Sequence, residues 1–447
     1  MKKILIANRG EIAVRVIRAC KEMGIKTVAV YSTVDKEALH TKLADESVCI
    51  GPAPSVKSYL NIPAIMAAAE LTGADGIHPG YGFLSENAKF AEICIAHQIC
   101  FIGPKPEHIF SLGNKVEARA AAEKAKVPLL PGSKGKVKTY KEALKLARDI
   151  GFPIIIKAAA GGGGRGMKII NIEQDLESQL HLAQAEALTG FGNSDVYLEK
   201  YLRAPRHVEI QLLADTHGNI IHLGERDCSV QRRHQKLLEE SPCPIMTPEL
   251  RKTMGDTAVR LAQSVGYQSV GTCEFLLDGN GQFYFMEVNS RIQVEHTVTE
   301  EVTGLDLIKE QIKVSLGEKL RKKQSDIVLN GHSLECRINA EDPVSFVPWP
   351  GKVTNFFAPG GRGVRVDSAL YAGFTVPSTY DSMIAKLITH GENREECLAR
   401  MRSALSEMKV EGIRTNISFH QKVLMDEDFI SGNFSTRFLE NFNQKSL

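Results

Sequence analysis

Between Phe283 and His296 the chain reads Phe-Tyr-Phe-Met-Glu-Val-Asn-Ser-Arg-Ile-Gln-Val-Glu-His, with polar side chains at every second position. In an extended segment alternate side chains share a face. Glu287, Asn289, Arg291, Gln293 and Glu295 are therefore expected to project together, with Val288, Ile292 and Val294 turned into a core. Such a face is often only the solvent side of an edge strand. Here it carries a varied set of ligands and hydrogen-bonding groups rather than interchangeable surface residues. Upstream, Asp278-Gly279-Asn280-Gly281 reads as a hairpin turn that folds Glu274 back beside Glu287. Two carboxylates and an amide oxygen suit Mg²⁺, a hard ion that prefers oxygen and keeps contacts to phosphates. Arg291, Gln293 and Glu295 remain to handle a small anionic co-substrate.

A second candidate is the run Gly161-Gly162-Gly163-Gly164-Arg165-Gly166 between two strand-like stretches. Successive glycines let a backbone approach phosphate oxygens with its N–H groups aimed at the anion. No Lys-Ser/Thr pair follows, so this is not a Walker A loop. A plain flexible linker is the bland reading. The flanking apolar strands and Lys157, just before the loop, favour a mobile hairpin lid over ATP.

These groups need a scaffold, and the chain supplies alternating elements to build one. Ile4-Leu5-Ile6-Ala7 and Thr27-Val28-Ala29-Val30-Tyr31 read as buried strands around a helix that ends at Gly24; 76–78 and 99–102 read as further strands. This alternation implies a parallel sheet with helices on both faces. The first turn, Asn8-Arg9-Gly10, lacks the later glycines of a dinucleotide fingerprint, so a Rossmann-like scaffold without that cofactor is expected. Pro128, Pro131, Gly132 and Gly135 mark a boundary near residue 130. From Val196 strands dominate, and Val208, Ile210 and Leu212 alternate with Glu209 and Gln211. A third region begins near residue 330 and ends in a helix over 395–408.

With 447 residues the chain is long enough for about three domains. A net charge of +2 gives no electrostatic case for nucleic acid or an anionic membrane. Nine cysteines without CxxC spacing read as reduced thiols, and the amino terminus has no signal-peptide pattern. A cytoplasmic protein is the expectation. Taken alone, His207 reads as structural, Glu239-Glu240 as a solvated pair, and Arg232-Arg233 as a surface patch.

Lys157, the glycine loop, Glu199-Lys200-Tyr201-Leu202, Glu274, Glu287, Asn289 and Arg291 resemble the ATP-grasp superfamily. More narrowly, the chain resembles the biotin carboxylase family from end to end. The motifs that carry this lie at residues 7–13, 78–87, 226–227, 231–236, 291–296 and 335–342. The implied fold is α/β (α+β overall). It comprises an N-terminal Rossmann-like pre-ATP-grasp domain over 1–113 and an ATP-grasp domain over 114–330, with a lid at about 131–203. A C-terminal mixed β domain covers 331–447.

The resemblance also implies roles. Lys115, Lys157, Gly163, Gly164 and His207 would contact the ATP phosphates and ribose. Glu199, Lys200, Tyr201 and Leu202 would take the adenine edge, with His234 nearby. Glu274, Glu287 and Asn289 would bind Mg²⁺ or Mn²⁺, two ions in all, with Glu274 and Glu287 thereby also contacting ATP. Lys236, Arg291, Gln293 and the Val294 backbone would hold bicarbonate, and Glu295 would deprotonate it. Arg291, Arg337 and Tyr81 would face biotin. The implied reaction is carboxylation of biotin through carboxyphosphate by an ATP-dependent C–N ligase. It is the first half-reaction of acetyl-CoA carboxylase, leading to malonyl-CoA for fatty acid synthesis. A propionyl-CoA or pyruvate carboxylase-type complex is the alternative.

No Ala-Met-Lys-Met biotinylation sequence occurs and no carboxyltransferase region follows. Biotin is therefore expected as a substrate on a separate biotin carboxyl carrier protein, with separate carboxyltransferase subunits and a homodimer by family analogy. Two departures stand out: Thr297 where the family usually has proline, and Cys273 where another residue is common. A catalytically dead scaffold would need losses among Glu274, Glu287, Asn289, Arg291 or Glu295, and all are present.

Overall fold

A computed structural model describes residues 1–133, 135–158 and 167–445. Its first sheet is parallel, with β1 (Lys3–Ile6), β2 (Lys26–Ser32), β3 (Glu46–Gly51), β4 (Gly76–His78) and β5 (Cys100–Phe101) in the order β3-β2-β1-β4-β5. Ile4, Leu5 and Ile6 are fully enclosed because both sheet faces are covered, as a continuous apolar run requires. The edge strand β3 was not foreseen: Glu46, Ser47 and Cys49 are exposed, so it lacks the apolar run that marked its neighbours. At the first turn Arg9 points its guanidinium at Asp35, with Nε and Nη2 donating over 2.7 and 2.8 Å.

A small antiparallel sheet follows, β7-β6-β8, made of β6 (Ile154–Ala158), β7 (Met167–Ile170) and β8 (Val196–Lys200). Helices Tyr140–Ile150 and Leu176–Phe191 pack on it through Ala143, Ala147, Leu180 and Ala183. β6 and β7 pair from Ile154↔Ile170 to Lys157↔Met167. The glycine loop between them, including Gly163 and Gly164, lies outside the described residues.

The remaining chain builds one antiparallel sheet around which the chemistry is organised. Its strands are β9 (Arg206–Ala214), β10 (Ile220–Arg232), β11 (Gln235–Ser241), β12 (Ser269–Leu277), β13 (Phe283–Asn289) and β14 (His332–Asn339). Further along come β15 (Gly351–Lys352), β16 (Asn355–Phe357), β17 (Val364–Ser368), β18 (Thr375–Val376), β19 (Met383–Gly391) and β20 (Lys409–Glu411). The eight-stranded order is β13-β12-β9-β10-β11-β14-β19-β17, while β15 pairs with β18 and β16 with β20. Pairing of β11 with β14 makes the sheet continuous across residue 330, where a third region was expected to begin. Its central strand β9 is buried at every residue. The face of Val208, Ile210 and Leu212 belongs to a hydrophobic core, and the face of Glu209 and Gln211 is equally enclosed rather than solvated.

Candidate active site

The turn at 278–281 forms as expected. Asp278 Oδ1 accepts from the N–H groups of Asn280 and Gln282 at 2.8 and 2.9 Å, and Gly281 supplies the positive φ of 78°. The hairpin sets Glu274 opposite Glu287 and Thr272 opposite Asn289. The expected strand over Glu287–Glu295 is corrected, because β13 ends at Asn289. Residues 290–295 leave the sheet as a loop, and Glu295 immediately precedes the helix His296–Thr303, its side chain making no cap bond. Strict alternation fails because tertiary contacts hold this loop: Ser290 N and Arg291 Nε both donate to Glu86, at 3.2 and 2.9 Å. The polar side chains still converge, through a bend rather than a pleat.

Lys236, on β11, stands at the point of convergence. Its Nζ donates to Glu209 Oε2 at 2.5 Å, Glu295 Oε1 at 2.5 Å and Glu274 Oε1 at 3.0 Å. Burial works against a charged amine, but these three carboxylates outweigh it and hold the ammonium well above its ordinary pKa. Beneath lies Arg226, fully buried, donating to Glu209 (2.6 Å), Gln211 (2.6 Å), Thr299 (2.9 Å), Thr272 (3.2 Å) and Gln293 (2.7 Å). Gln293 in turn donates to Glu274 over 2.8 Å.

Arg337 reaches the same centre from β14, with Nε on Glu239 at 2.6 Å and Nη2 on Glu295 at 3.0 Å. Burial pushes the Glu295 carboxyl up, yet Lys236, Arg337 and Arg226 together hold it well below the carboxylate range. It is thus an ionised carboxylate hydrogen-bonded to two of these three cations, Lys236 and Arg337. The reading of Glu239-Glu240 as solvated is wrong: both are enclosed, Glu240 accepting from His332 and Arg394 at 2.6 and 2.7 Å. β14 covers β11, and nothing local to the pair signals that cover.

On the nucleotide side, Lys157 and Arg119 each donate to Glu199 at 2.6 Å, and Lys200 donates to the carbonyls of Gly151 and Phe152. Tyr201 and Leu202 follow β8 half-buried, while His234 is exposed in the β10–β11 turn at φ 66°. His207 Nε2 donates to Glu274 Oε2 at 2.9 Å, so it joins the site. Lys115 starts the helix Lys115–Lys124 and lines a cleft of about 670 Å³ together with Glu86, Asn114, Lys136 and Asp195. That volume is in the range of small-molecule sites.

Glu287 is the carboxylate least provided for. It has no hydrogen bond or ion pair among the described residues. Burial and the neighbouring Glu274 charge raise its pKa despite Lys115. A half-buried carboxylate beside a second one, short of positive charge, fits a hard divalent cation. Asn289 donates to Glu274 at 2.8 Å while its Oδ1 accepts from Arg291, so its amide stands between the carboxylate hairpin and that guanidinium. Tyr81 donates to Glu11, and the Val294 carbonyl accepts from Lys386 at 2.8 Å.

Sequence reasoning missed Glu86, Glu209, Arg226, Glu239 and Lys386 as members of this network. Three had a signal: Arg226 opens one of the quoted motifs, Glu86 lies in another, and Glu209 alternates with Gln211 on the polar side of β9. The other two meet the site only through tertiary contacts.

The carboxylate hairpin and the small antiparallel sheet that presents Lys157 to Glu199 fit an ATP-grasp ligase. Residues 114–323 match the family described as carbamoyl-phosphate synthase L chain, ATP binding domain. Residues 1–109 match the N-terminal domain of biotin carboxylase and 335–441 its C-terminal domain. Biotin carboxylase 1 of Bacillus subtilis is 57% identical over 99% of both chains. A solved biotin carboxylase–β,γ-ATP complex from Campylobacter jejuni superposes with a TM-score of 0.96 at 51% identity, covering 98% of each chain. The biotin carboxylase domain dimer of Hydrogenobacter thermophilus 2-oxoglutarate carboxylase, with MgADP, ADP and bicarbonate, gives 0.95 at 48% identity over 99% and 98%. The chain belongs to the biotin carboxylase family, and it is an ATP-dependent ligase of that family.

Proposed function

We propose that this chain uses ATP and bicarbonate to carboxylate biotin borne on a separate carrier protein. The observation that carries the reading is Lys236, whose single ammonium joins Glu274 of the carboxylate pair to Glu295, the ionised base. Phosphoryl acceptor and phosphate neutralisation thereby share one centre.

In this reading Lys236, Arg291, Gln293 and the Val294 N–H hold bicarbonate. Glu295 takes its proton as the bicarbonate oxygen attacks the γ-phosphorus and ADP leaves. Lys115, Lys157 and the glycine loop, with Gly163 and Gly164, neutralise and enclose the phosphates, and His207 holds Glu274 in place. Glu199, Lys200, Tyr201, Leu202 and His234 take the adenine and ribose side. Glu274, Glu287 and Asn289 would hold Mg²⁺ or Mn²⁺, which would supply further neutralisation of charge at the phosphates. Carboxyphosphate breaks to CO₂ and phosphate, and that phosphate accepts the ureido N1 proton as nitrogen bonds to CO₂. Arg291 stabilises the negative charge on the ureido oxygen, because guanidinium stays cationic and holds a fixed geometry. Arg337 and Tyr81 complete the biotin side.

We further propose a cytoplasmic homodimer of units 1–113, 114–330 and 331–447 that serves acetyl-CoA carboxylase through carrier and carboxyltransferase partners. The solved dimer of the 2-oxoglutarate carboxylase domain supports the dimer. It equally favours a second reading, service to a 2-oxo-acid carboxylase of the pyruvate type. No described helix is long and apolar enough to cross a membrane.

The test is ATP hydrolysis by the purified chain with bicarbonate and free biotin varied separately. Free biotin is expected to raise the bicarbonate-dependent rate, and its failure to do so sinks the biotin assignment. Reconstitution with the host's carboxyltransferase subunits, offering acetyl-CoA against pyruvate, separates the two acceptors.

A further inference from the structure

Lys386 lies on β19 with no exposed surface. Its shortest contact is the main-chain carbonyl of Val294, at 2.8 Å; Glu11 Oε1 at 3.5 Å and Asp367 Oδ2 at 3.9 Å stand further off. Burying an ammonium costs several kcal/mol unless it is well paired. Here its best bond goes to the backbone of a loop.

That carbonyl belongs to the peptide joining Val294 to Glu295. A peptide unit is planar, so holding its oxygen also fixes the start of Glu295. The preceding peptide is held too, since the Gln293 carbonyl accepts from His296 Nδ1 at 2.7 Å and His296 N at 3.3 Å. Between them, Lys386 and His296 pin both planes flanking Val294 in a segment that no helix or strand ladder supports. Lys386 comes from β19 and Glu11 from the N-terminal helix Gly10–Glu22, so the loop is braced from two distant parts of the chain. Glu11 also accepts from Tyr81.

We propose that Lys386 is a positioning residue for carboxylation: it fixes the Val294–Glu295 peptide against the Gln293–Val294 peptide held by His296, so that the Glu295 carboxylate faces the same anion as the Val294 N–H. This rests on the bicarbonate roles proposed above for Val294 and Glu295. Lys386 touches no reactant and acts through the loop. A misplacement of about 1 Å at a reacting group can cost on the order of 10²-fold in rate.

The test compares wild type, Glu11→Gln and the charge-balanced double variant Glu11→Gln/Lys386→Met. Relative to Glu11→Gln, the double variant is expected to lose about 10- to 100-fold in kcat/KM for bicarbonate. Its KM for ATP should stay within about twofold, with cooperative thermal unfolding retained, because the nucleotide contacts lie elsewhere. Bicarbonate kcat/KM within about threefold of Glu11→Gln overturns the proposal. An equal loss toward ATP and bicarbonate also overturns it, since that is what general loosening produces. If the double variant does not fold, Lys386→Gln is read against the same limits. Wild type without bicarbonate-dependent ATP turnover would sink the functional reading itself, an outcome visible before any variant is compared.

Discussion

Glu295 and Glu335 are 2% and 0% exposed and both feel Arg337, yet the fold holds them in opposite charge states. Burial pushes each up. At Glu295 the cations Lys236, Arg337 and Arg226 reverse that push, and the group stays ionised. At Glu335 burial prevails over Lys386, the nearby Glu239 adds to it, and the carboxyl rises to about 8. Around Lys236 the carboxylates are bonded to cations. Around Lys386, Glu11 Oε2 and Glu335 Oε1 are orphaned, as is Glu239 Oε2 next to Arg337. Enclosure alone therefore does not fix a carboxylate's charge. The cations brought to each one decide: Lys236, Arg337 and Arg226 suffice for Glu295, whereas Lys386 and Arg337 do not for Glu335.

Four variants break or sharpen this contrast, beginning with the largest effect. Glu295→Gln is expected to cut bicarbonate-dependent ATP turnover by about 10²–10⁴-fold while calorimetry shows nucleotide binding retained. Near-normal turnover would remove Glu295 as the base. Next, Glu86→Gln takes from Arg291 its charged acceptor at 2.9 Å. Hydrogen bonds to charged groups contribute about 1.5–3 kcal/mol, so kcat/KM for biotin should fall by about ten- to a hundredfold. An unchanged value would show that Arg291 orients itself without Glu86.

At Glu335 the expected signature is in pH rather than rate. A folded-state pKa of about 8, against an ordinary 4.5, means the native state binds this proton more tightly than the unfolded chain. Stability from this group is present below the ordinary value and is lost as pH climbs toward 8. Glu335→Gln has no such loss, so its melting temperature minus that of wild type should rise between pH 5 and 8 by about 2 °C or more. A difference that does not change with pH would mean Glu335 is ionised and the two clusters are alike.

The smallest effect is expected at Thr297→Pro. Thr297 is the second residue of helix His296–Thr303, where the N–H has no intrahelical acceptor and proline is tolerated. Only its hydroxyl bond to Glu335 is lost. Urea unfolding should show a loss of about 0.5–1.5 kcal/mol. A loss above about 3 kcal/mol would mean that the proline also strains the turn after Glu295.

Much of this arrangement was legible in the residues. A hairpin signal with period-two alternation put Glu274 opposite Glu287, and the pairing register matches it. The apolar runs at 4–7 and 27–31 located the first parallel strands to within a residue or two. Alternation failed after Asn289, because it describes a strand only while a neighbour's ladder holds the backbone extended. Glu239-Glu240 was misread for a related reason: solvation depends on β14, which arrives about a hundred residues later and covers it.

The sequence by itself determined which chemistry was available: carboxylates, an amide and cations at motif spacing, and strands to carry them. The tertiary structure alone decided which carboxylates keep their charge. Lys236 meets Glu295 across 59 residues, Arg291 meets Glu86 across 205, and Lys386 meets Val294 across 92. Charge state in a buried site depends on the distance to each cation and on exclusion of water, and neither is a property of neighbours along the chain.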